Sequence, residues 1–449
     1  MNHFRMRKLI VLLLALTSFA SAIDRQSNSD YKMRRQSLAA KAKNGVVLLF
    51  AGTEAEGPND LYGFRQDDNF YYLTGWTEPG AAILIAPAAE AKNNAAARPY
   101  TEILFLPAHN PVQEKWTGPK LGAENQDATK ITGFDQVRVL DDLRNEVAKV
   151  LGSATHNVYT DVPAAGETPN STSSLEWLER ANAFPLNVSF QDVRPLMASL
   201  RTFKDAGEID RIRKATDASV AAHQAALAAM KPLMTEREIS ALLQYEWGKR
   251  GCERPAYAPI VGSGFNSTVL HYSADSGTIQ DGDVVVIDAA GEYSMYASDI
   301  TRTMPANGHF TARQREIYNI VLGAQQAAIN AFQSGKSRLR RDMPNSLNQV
   351  AVDYINSHGK DLHGESLGKY FIHGLSHYVG LNVHDAGDYD LPLAPGMAFT
   401  IEPGIYIPEE KLGVRIEDIF YVDQSGKLIN LSGALPHTAD EVEKAMAAK

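Results

Sequence analysis

Three neighbouring stretches decide the fold: FIHGLSHYVGLNVHD (371–385), FTIEPGIYIPEE (399–410) and GVRIEDIF (413–420). They place three histidines and the carboxylates of Glu402 and Glu417 among apolar residues. The residues around each of these glutamates are β-branched and alternate with period two, which is typical of strands. A carboxylate on a buried strand face is usually paired, protonated or bound to a metal, because leaving it alone costs several kcal/mol. The pattern therefore predicts a cation site.

Length and composition indicate a globular protein of two domains. The chain has 449 residues, of which 44% are apolar and 22% are charged, and this length exceeds one ordinary core. Acidic residues outnumber basic ones by 53 to 44, and no long basic block occurs. The charge pattern argues against nucleic acid as a partner. A single cysteine, Cys252, excludes a disulfide within the chain.

Residues 1–22 have the pattern of a secretory signal peptide. Three basic residues at positions 5, 7 and 8 precede the apolar run Leu9–Leu16, and the small residues Ala20-Ser21-Ala22 follow. Cleavage is expected before Ile23. The run is much shorter than the ~20 residues of a spanning helix, so we expect no stable membrane insertion after cleavage. The protein is predicted to be exported, to the periplasm or the extracellular space.

Residues 23–203 are predicted to form an α/β N-terminal domain. Short apolar strands are expected at 46–50, 82–85 and 102–106, with a surface loop at 86–99. Between the first two strands lies FRQDDNFYYLTGW (64–76). Its aromatic residues favour a buried core segment, although they would also suit the wall of a substrate cleft.

Residues 204–449 are predicted to form a second domain in which one order of elements occurs twice. The first half contains a helix opened by Asp205 and Glu208 (206–230), a helix opened by Thr235 and Glu238, and a hairpin with strands at 283–290 and 295–304. The second half contains a helix that opens at Thr311, a shorter helix at 346–356, and a hairpin with strands at 397–407 and 414–422. The repetition indicates two similar halves folded against each other.

Each predicted hairpin carries two carboxylates, one on each strand. They are Asp288 and Asp299 in the first hairpin and Glu402 and Glu417 in the second, and His377 precedes the second hairpin. If the hairpins pack face to face, four negative charges converge and repel one another. Two divalent cations would neutralise them. Oxygen-rich ligation with one imidazole suits manganese, cobalt or iron better than a structural zinc.

Each of these residues, taken alone, has a simpler interpretation. An aspartate at a strand end more often caps a turn than binds a metal. Glu417 lies two residues from Arg415 and could form an ion pair with it. His271 or His384 alone would more often be an ordinary polar residue. The conjunction of two hairpins with paired carboxylates and a histidine cluster favours the metal site.

Five motifs carry a resemblance to a known family: HYSAD (271–275), DAAGEYSMYASDITRT (288–303), HGLSHYVGLNVHD (373–385), TIEPG (400–404) and RIED (415–418). They resemble the pita-bread metallopeptidases and, within them, the aminopeptidase P family. FRQDDNFYYLTG (64–75) is similar to the N-terminal domain of that family. The resemblance implies an α/β N-terminal domain followed by an α+β pita-bread catalytic domain with pseudo-two-fold duplication.

The resemblance also implies roles for particular residues. Two metal ions, typically Mn²⁺, would be held by five residues, with two of them bridging, namely Asp288, Asp299 (bridging), His377, Glu402 and Glu417 (bridging). Three histidines, His271, His373 and His384, would contact the substrate or stabilise the tetrahedral intermediate. Arg415 would support the bridging carboxylates, and Tyr257 and Tyr406 match aromatic positions near the site.

The resemblance implies an aminopeptidase that releases the first residue from peptides with proline at the second position, and the expected ligands suggest how it would act. A water shared by two cations loses a proton near neutral pH, and the resulting bridging hydroxide attacks the scissile carbonyl. His384 or His373 would donate to the developing oxyanion, and Glu402 would carry a proton to the leaving proline nitrogen. The proline ring calls for an apolar wall.

Two rival functions remain open from the sequence. A prolidase would use the same site on Xaa-Pro dipeptides only. A non-catalytic relative would use the same fold to bind peptides, although such a relative would be expected to have lost ligands and here all five positions are filled. The resemblance further implies self-association through the N-terminal domain.

Overall fold

A computed structural model of the chain describes residues 23–43, 45–54, 61–87, 100–151, 156–161 and 188–448. The predicted signal peptide and nearly all of the predicted loop at 86–99 lie outside these residues. In the parts of the chain that the structure describes, no helix is both long enough and apolar enough to cross a membrane.

A mixed six-stranded sheet forms the centre of the N-terminal region, in the order β4-β3-β2-β1-β5-β6. The central strands β1, β2 and β3 run antiparallel to their neighbours in this set, whereas β4, β5 and β6 each join in parallel. All three strands predicted from the apolar runs are present. The strands are β1 (Val46–Phe50), β2 (Ala82–Pro87), β3 (Tyr100–Leu106), β4 (Gln136–Val139), β5 (His156–Thr160) and β6 (Val188–Asp192).

Helices cover this sheet and complete its core. They are α1 (Asn28–Lys41), α2 (Asp68–Thr74), α3 (Glu114–Thr117), α4 (Ala128–Thr132), α5 (Leu143–Leu151) and α6 (Arg194–Arg201). The aromatic segment at 64–76 contributes α2, in which Phe70, Tyr71 and Leu73 are fully buried. Gly75 ends this helix at φ 61°, and a Cβ there would lie 2.4 Å from the ring of Tyr31. The aromatic residues of this segment therefore pack in the core, which is the first of its two interpretations.

The second region begins with helix pairs, as predicted. The first pair is α7 (Ala206–Ala229) and α8 (Glu236–Gly248), and the second pair is α9 (Ala312–Ala331) and α10 (Leu347–Ser357); the last helix is α11 (Ala439–Ala447). Capping boxes open three of these helices at the predicted residues Asp205, Thr235 and Thr311. A side-chain oxygen accepts the free N–H at the start of each helix, so the sequence fixes where the helix begins.

A three-stranded sheet follows each helix pair. In the first half its order is β12-β9-β8, and in the second half it is β13-β16-β17. A second small sheet, β11-β10-β7, covers the first half, and a two-stranded ribbon, β14-β15, extends the second. The strands are β7 (Arg254–Pro255), β8 (Ile260–Ser263), β9 (Val284–Asp288), β10 (Gly291–Tyr293), β11 (Tyr296–Ala297), β12 (Thr301–Pro305), β13 (Ala398–Ile401), β14 (Gly404–Ile407), β15 (Leu412–Arg415), β16 (Asp418–Val422) and β17 (Leu428–Asn430).

Both hairpins differ from their predictions. The predicted strand at 295–304 divides into β11 and β12, which belong to different sheets, and both strands of the second hairpin are interrupted. Strand β13 pairs with β16, and β14 pairs with β15, so the breaks fall at Glu402-Pro403 and at Ile416-Glu417. Pro403 has no N–H to contribute to the ladder, which explains the first break. Glu402 and Glu417 therefore lie at the ends of strands and not within them.

The two halves meet where the first hairpin touches the second break. The backbone N–H of Glu417 donates to the carbonyl of Thr301 at 3.1 Å, and the guanidinium of Arg302 donates to the carbonyl of Glu417 at 2.7 Å. The predicted duplication is thus realised as two helix–helix–sheet units joined edge to edge. The predicted boundary at residues 203 and 204 lies between helices α6 and α7 and stays a prediction.

Candidate metal centre

Two aspartates reach the centre from the first hairpin. Asp288 is the last residue of β9, and Asp299 lies two residues before Thr301, which pairs with Asp288 across the ladder. The hydroxyl of Tyr257 lies 2.6 Å from Oδ1 of each aspartate. A phenol carries one proton, so it can donate to only one of these carboxylates at a time. The two aspartates are thereby held close together.

His377 points its Nε2 atom at three of the carboxylates. The distances are 3.2 Å to Oδ2 of Asp299, 3.3 Å to Oε1 of Glu402 and 4.0 Å to Oε1 of Glu417. Its other ring nitrogen, Nδ1, lies 3.1 Å from the carbonyl oxygen of Tyr378 and donates to it in the neutral tautomer. This contact leaves the lone pair on Nε2, which is the arrangement of a metal-binding histidine.

The two glutamates complete the centre from opposite strand breaks. The hydroxyl of Thr400 donates to Oε1 of Glu402 at 3.1 Å, and the hydroxyl of Thr301 donates to Oε2 of Glu417 at 2.7 Å. Oε1 of Glu417 is buried and has no hydrogen-bond partner among the described residues. A buried carboxylate oxygen without a donor needs a cation or a proton.

Burial and mutual repulsion act on the protonation of these groups. Burial, followed by the charges of Asp299 and Glu402, raises the pKa of Glu417 well above its usual range. Burial likewise raises the pKa of Glu402 to about 7 and raises the pKa of Asp299. Burial opposes protonation of His377, but the hydrogen bond to Asp299 and the charge of Glu402 outweigh it and raise its pKa to about 9. Without a cation, these carboxyl groups therefore hold their protons more strongly than exposed carboxyl groups do.

The donor set fits divalent cations. One ligand atom from each of Asp299, His377 and Glu417 lies within 4.8 Å of the others, so one ion could contact all three. Glu402 lies against the same imidazole, and Asp288 is joined to Asp299 through Tyr257. Four carboxylates and one imidazole are hard and borderline ligands, which suit such ions.

Arg415 supports the centre, although not in the way the sequence predicted. The resemblance implies that Arg415 supports the bridging carboxylates Asp299 and Glu417; the simpler alternative was an ion pair with Glu417. Its Nη2 instead donates to Oδ2 of Asp288 at 2.6 Å, and its Nε donates to the hydroxyl of Thr301 at 3.1 Å. Thr301 in turn donates to Glu417. The guanidinium therefore contacts one acidic residue directly and reaches a second through a hydroxyl.

A cavity of about 280 Å³ opens over the five residues. Its lining includes all three histidines predicted to contact substrate, together with Arg415, and consists of Leu270, His271, Asp288, Asp299, His373, Gly374, Ser376, His377, His384, Glu402, Arg415 and Glu417. The ring of His384 lies 4.1 Å from that of His377, measured between centroids. Burial and the neighbouring His377 lower the pKa of His384 to about 4.

The environment of His373 separates it from His384. Its Nε2 lies 2.8 Å from the hydroxyl of Tyr406, and its Nδ1 lies 2.8 Å from the carbonyl of Gly374. Arg415 donates to the same Tyr406 hydroxyl at 2.9 Å. Burial and the charge of Arg415 lower the pKa of His373 to about 4, so the ring is neutral near pH 7. Both ring nitrogens of His373 are therefore engaged in hydrogen bonds within the protein.

Comparison with known proteins agrees with this centre. Residues 210–424 match the model of metallopeptidase family M24, and residues 31–159 match the N-terminal domain of aminopeptidase P. The chain is 32% identical to the Xaa-Pro aminopeptidase of Escherichia coli (strain K12), over 94% of this chain and 98% of that protein. The chain belongs to metallopeptidase family M24, in its aminopeptidase P branch.

Two further proteins are similar to this chain over nearly its whole length. Xaa-Pro aminopeptidase 3 of Mus musculus is 34% identical over 93% of this chain and 86% of that protein. The solved structure of aminopeptidase PepP from Pseudomonas aeruginosa superposes with a TM-score of 0.81 at 32% identity, covering 94% of this chain and 99% of that one. The predicted fold, an α/β N-terminal domain followed by a pita-bread catalytic domain, is confirmed, and the chain is a metallo-aminopeptidase.

The sequence analysis of this aminopeptidase did not identify two threonines that contact the predicted ligands. Thr301 connects Arg415 to Glu417, and Thr400 donates to Glu402. Each lies two residues from a predicted ligand, Thr301 after Asp299 and Thr400 before Glu402. Residues two apart on a strand share a face, so the spacing of each hydroxyl from a predicted ligand could have identified these threonines.

Proposed function

We propose that this chain is a dinuclear-metal aminopeptidase that removes the first residue from peptides with proline at the second position. The observation that carries the proposal is the convergence of four carboxylates and Nε2 of His377 on one cavity, where Oε1 of Glu417 meets no donor from the described part of the chain. Two relatives of similar length bear the name Xaa-Pro aminopeptidase, which supports the choice of substrate.

The proposed ligands are the five residues expected from the sequence: Asp288, Asp299, His377, Glu402 and Glu417. Divalent ions bound there would supply an activated water and polarise the scissile carbonyl. Mn²⁺ is our first choice, because four of the five ligands are carboxylates and the fifth is an imidazole.

The remaining side chains would handle the substrate. Glu402 would carry the proton to the proline nitrogen, because its Oε1 already accepts from Thr400 while its Oε2 lies 3.8 Å from the ring of His373. His384 would donate to the substrate carbonyl, and Leu270 supplies apolar surface beside His271 in the same cavity. Arg415 and Tyr257 would hold the carboxylates in place.

The test is hydrolysis by the mature protein, loaded with Mn²⁺, of an Xaa-Pro-Yaa-Zaa peptide and of the Xaa-Pro dipeptide. The proposal expects release of the first residue from the longer peptide and loss of activity after chelation. Cleavage confined to the dipeptide would instead identify a prolidase. Binding of both peptides without turnover in any metal would identify a non-catalytic peptide-binding relative.

We also propose export after removal of residues 1–22. The support is the charge and apolar pattern of that segment, which precedes the described residues. Among the relatives, one from Arabidopsis thaliana is named as mitochondrial, so targeting differs between members and has to be measured for this chain. Amino-terminal sequencing of the protein recovered from outside the cytosol should begin at Ile23. Recovery with Met1 intact would contradict export.

Self-association through the N-terminal domain is the last proposal of this set. The short helix α3 and the turn before it expose two large apolar residues, Trp116 at 87% and Val112 at 68%. Large apolar side chains this exposed on one surface are typical of protein–protein contacts.

A further inference from the structure

A single buried carboxylate, that of Glu236, fastens both ends of the loop that carries His271. Glu236 is the first residue of helix α8, and its side chain has no exposed surface. The loop runs from the end of β8 at Ser263 to Gly277, and Leu270 and His271 lie near its middle, where they line the metal cavity.

The first carboxylate oxygen of Glu236 holds the start of the loop. Oε1 accepts from the backbone N–H of Ser263 at 2.9 Å, from the hydroxyl of Ser263 at 2.8 Å and from the side-chain amide of Asn266 at 2.9 Å. Three donors on one oxygen fix the direction in which the chain leaves β8.

The second oxygen holds the return of the loop. Oε2 accepts from the hydroxyl of Tyr272 at 2.8 Å and from the backbone N–H of Gly277 at 2.6 Å. The close approach at Gly277 depends on its missing side chain, because a Cβ there would lie 2.8 Å from Oε2. The backbone of Glu236 adds a third contact to this side, its N–H donating to the carbonyl of Gly277 at 3.0 Å.

These contacts keep Glu236 ionised although it is buried. Burial opposes ionisation, but the hydrogen bonds from Asn266, Ser263, Tyr272 and Gly277 outweigh it and lower the pKa of Glu236. No basic side chain takes part in these hydrogen bonds, so the anion depends entirely on donors from the loop. Disturbing any of them exposes an unpaired buried group, which ties the loop to one conformation.

We propose that Glu236 is a positioning residue that sets the place of His271 in the substrate cavity, an inference that rests on the proposed aminopeptidase function. His271 follows Leu270 and directly precedes Tyr272, whose hydroxyl is bound to the carboxylate. Glu236 makes none of the contacts at the five metal-ligand positions, so its effect reaches the reaction through the loop alone.

Substitution of Glu236 by glutamine tests this directly. An amide has one acceptor oxygen, and each oxygen of the native carboxylate faces a backbone N–H, that of Ser263 on one side and that of Gly277 on the other. Whichever way the amide turns, its NH₂ group meets one of these backbone donors. The loop must therefore release one end, while the size of the side chain is unchanged.

The matched control is Glu238→Gln, two residues further along the same helix. Glu238 accepts from the N–H and hydroxyl of Thr235 in an exposed capping box. Glutamine suits that role, since Gln314 fills it opposite Thr311 at the start of helix α9. The control removes the same charge from the same helix end without touching the loop.

We expect Glu236→Gln to lower kcat/KM on an Xaa-Pro tripeptide by about ten- to a hundredfold, with bound metal unchanged, and Glu238→Gln to leave both unchanged. In a His271→Ala background the further loss from Glu236→Gln should be less than about twofold, because the two changes act on one group. The proposal would be overturned if Glu236→Gln caused an equal loss in both backgrounds or lost bound metal. Full kcat/KM in His271→Ala alone would also overturn it.

A readout without substrate keeps the inference separate from the proposed function. Hydrogen exchange at the amides of Ser263 and Gly277 should accelerate in Glu236→Gln and not in Glu238→Gln. Unchanged protection would overturn the positioning role even if the enzyme proves to have another substrate. Should Glu236→Gln fail to fold, Tyr272→Phe removes one donor only and should give the same changes in smaller measure; no effect of it on either readout would count against the proposal.

Discussion

Nε2 of His377 lies 3.2 Å from Oδ2 of Asp299, and this contact joins the two halves of the catalytic domain at the metal cavity. Asp299 enters from the first hairpin, whereas His377 belongs to the loop that precedes β13 in the second half. Neither half has the full donor set by itself. The duplication therefore has a functional consequence, because the centre exists only where the two halves meet.

Glu402 should be essential for turnover but not for folding. We expect Glu402→Gln to reduce kcat by about 10²- to 10⁴-fold, the range lost when a proton-transfer group is removed, while the circular dichroism spectrum stays the same. Glu409→Gln, on the exposed turn after β14, serves as the control and should keep full activity. Unchanged turnover in Glu402→Gln would refute its role.

Metal should stabilise the native protein, and the effect should depend on Glu417. At a Mn²⁺ concentration of 100 times Kd, linkage predicts a rise of about 2.7 kcal/mol in the free energy of unfolding. We expect Glu417→Gln to lose most of this rise, yet to be no less stable than the native chain without metal, since it removes a buried carboxyl group whose Oε1 has no hydrogen-bond partner among the described residues. Urea titrations with and without Mn²⁺ measure both quantities. Equal stabilisation of the two proteins would contradict the assignment.

Tyr406 connects Arg415 to His373, and its hydroxyl should matter for catalysis. Arg415 donates to this hydroxyl at 2.9 Å, and the hydroxyl lies 2.8 Å from Nε2 of His373. Tyr406→Phe breaks the connection and should cost about 1.5 kcal/mol, or roughly tenfold in kcat/KM. Tyr354→Phe, on helix α10 and stacked on His358, is the matched control. Equal kcat/KM in the two variants would contradict a catalytic role for the Tyr406 hydroxyl.

Asp385 should stabilise the contact between the two domains in a pH-dependent manner. It is buried against Arg201 and against Nζ of Lys204 at 2.9 Å. Burial opposes its ionisation, but the charges of these two residues outweigh it and lower the pKa of Asp385. At pH 7 we expect Asp385→Asn to lower the free energy of unfolding by about 3–5 kcal/mol, because two buried cations lose their partner.

The sign of the pH effect follows from that lowered pKa. The unfolded carboxyl titrates near about 3.9, so the stabilisation is fully present above about pH 4 and is lost as the pH falls through the lower folded value. Urea denaturation at pH 7, 5 and 3 should therefore show the gap between native protein and Asp385→Asn closing only in the acid range. Asp390→Asn, which removes an exposed partner of Arg340, should change stability by less than about 1 kcal/mol at any of these pH values.

Trp116 should contribute to self-association. We expect Trp116→Ala to lower the mass measured by light scattering after size exclusion, because the substitution removes a large exposed apolar side chain. Phe203→Ala offers a control at another exposed aromatic residue, 42% accessible near the domain boundary. A native protein that is monomeric at all concentrations would contradict the proposal.

The sequence by itself determined the elements whose signals are local. Capping residues such as Asp205, Thr235 and Thr311 fix helix starts because they bind the first free N–H groups of their own helix. Apolar runs predicted β1, β2, β3 and β9, whereas β4–β8 and β17 were not predicted, and the motifs indicated the family. Four of the five proposed ligand positions were suggested by the residues themselves, because acidic side chains among apolar neighbours need a counter-charge, and His377 followed from the histidine cluster.

Only the tertiary structure decided how those residues meet. The second hairpin breaks at Pro403, and Arg415 pairs with Asp288 and not with Glu417. Glu236 binds a loop that begins at Ser263. Each of these outcomes depends on which groups, distant in sequence, come within hydrogen-bonding distance once the two halves pack. A hydrogen bond acts over about 3 Å, so sequence spacing cannot choose its partner.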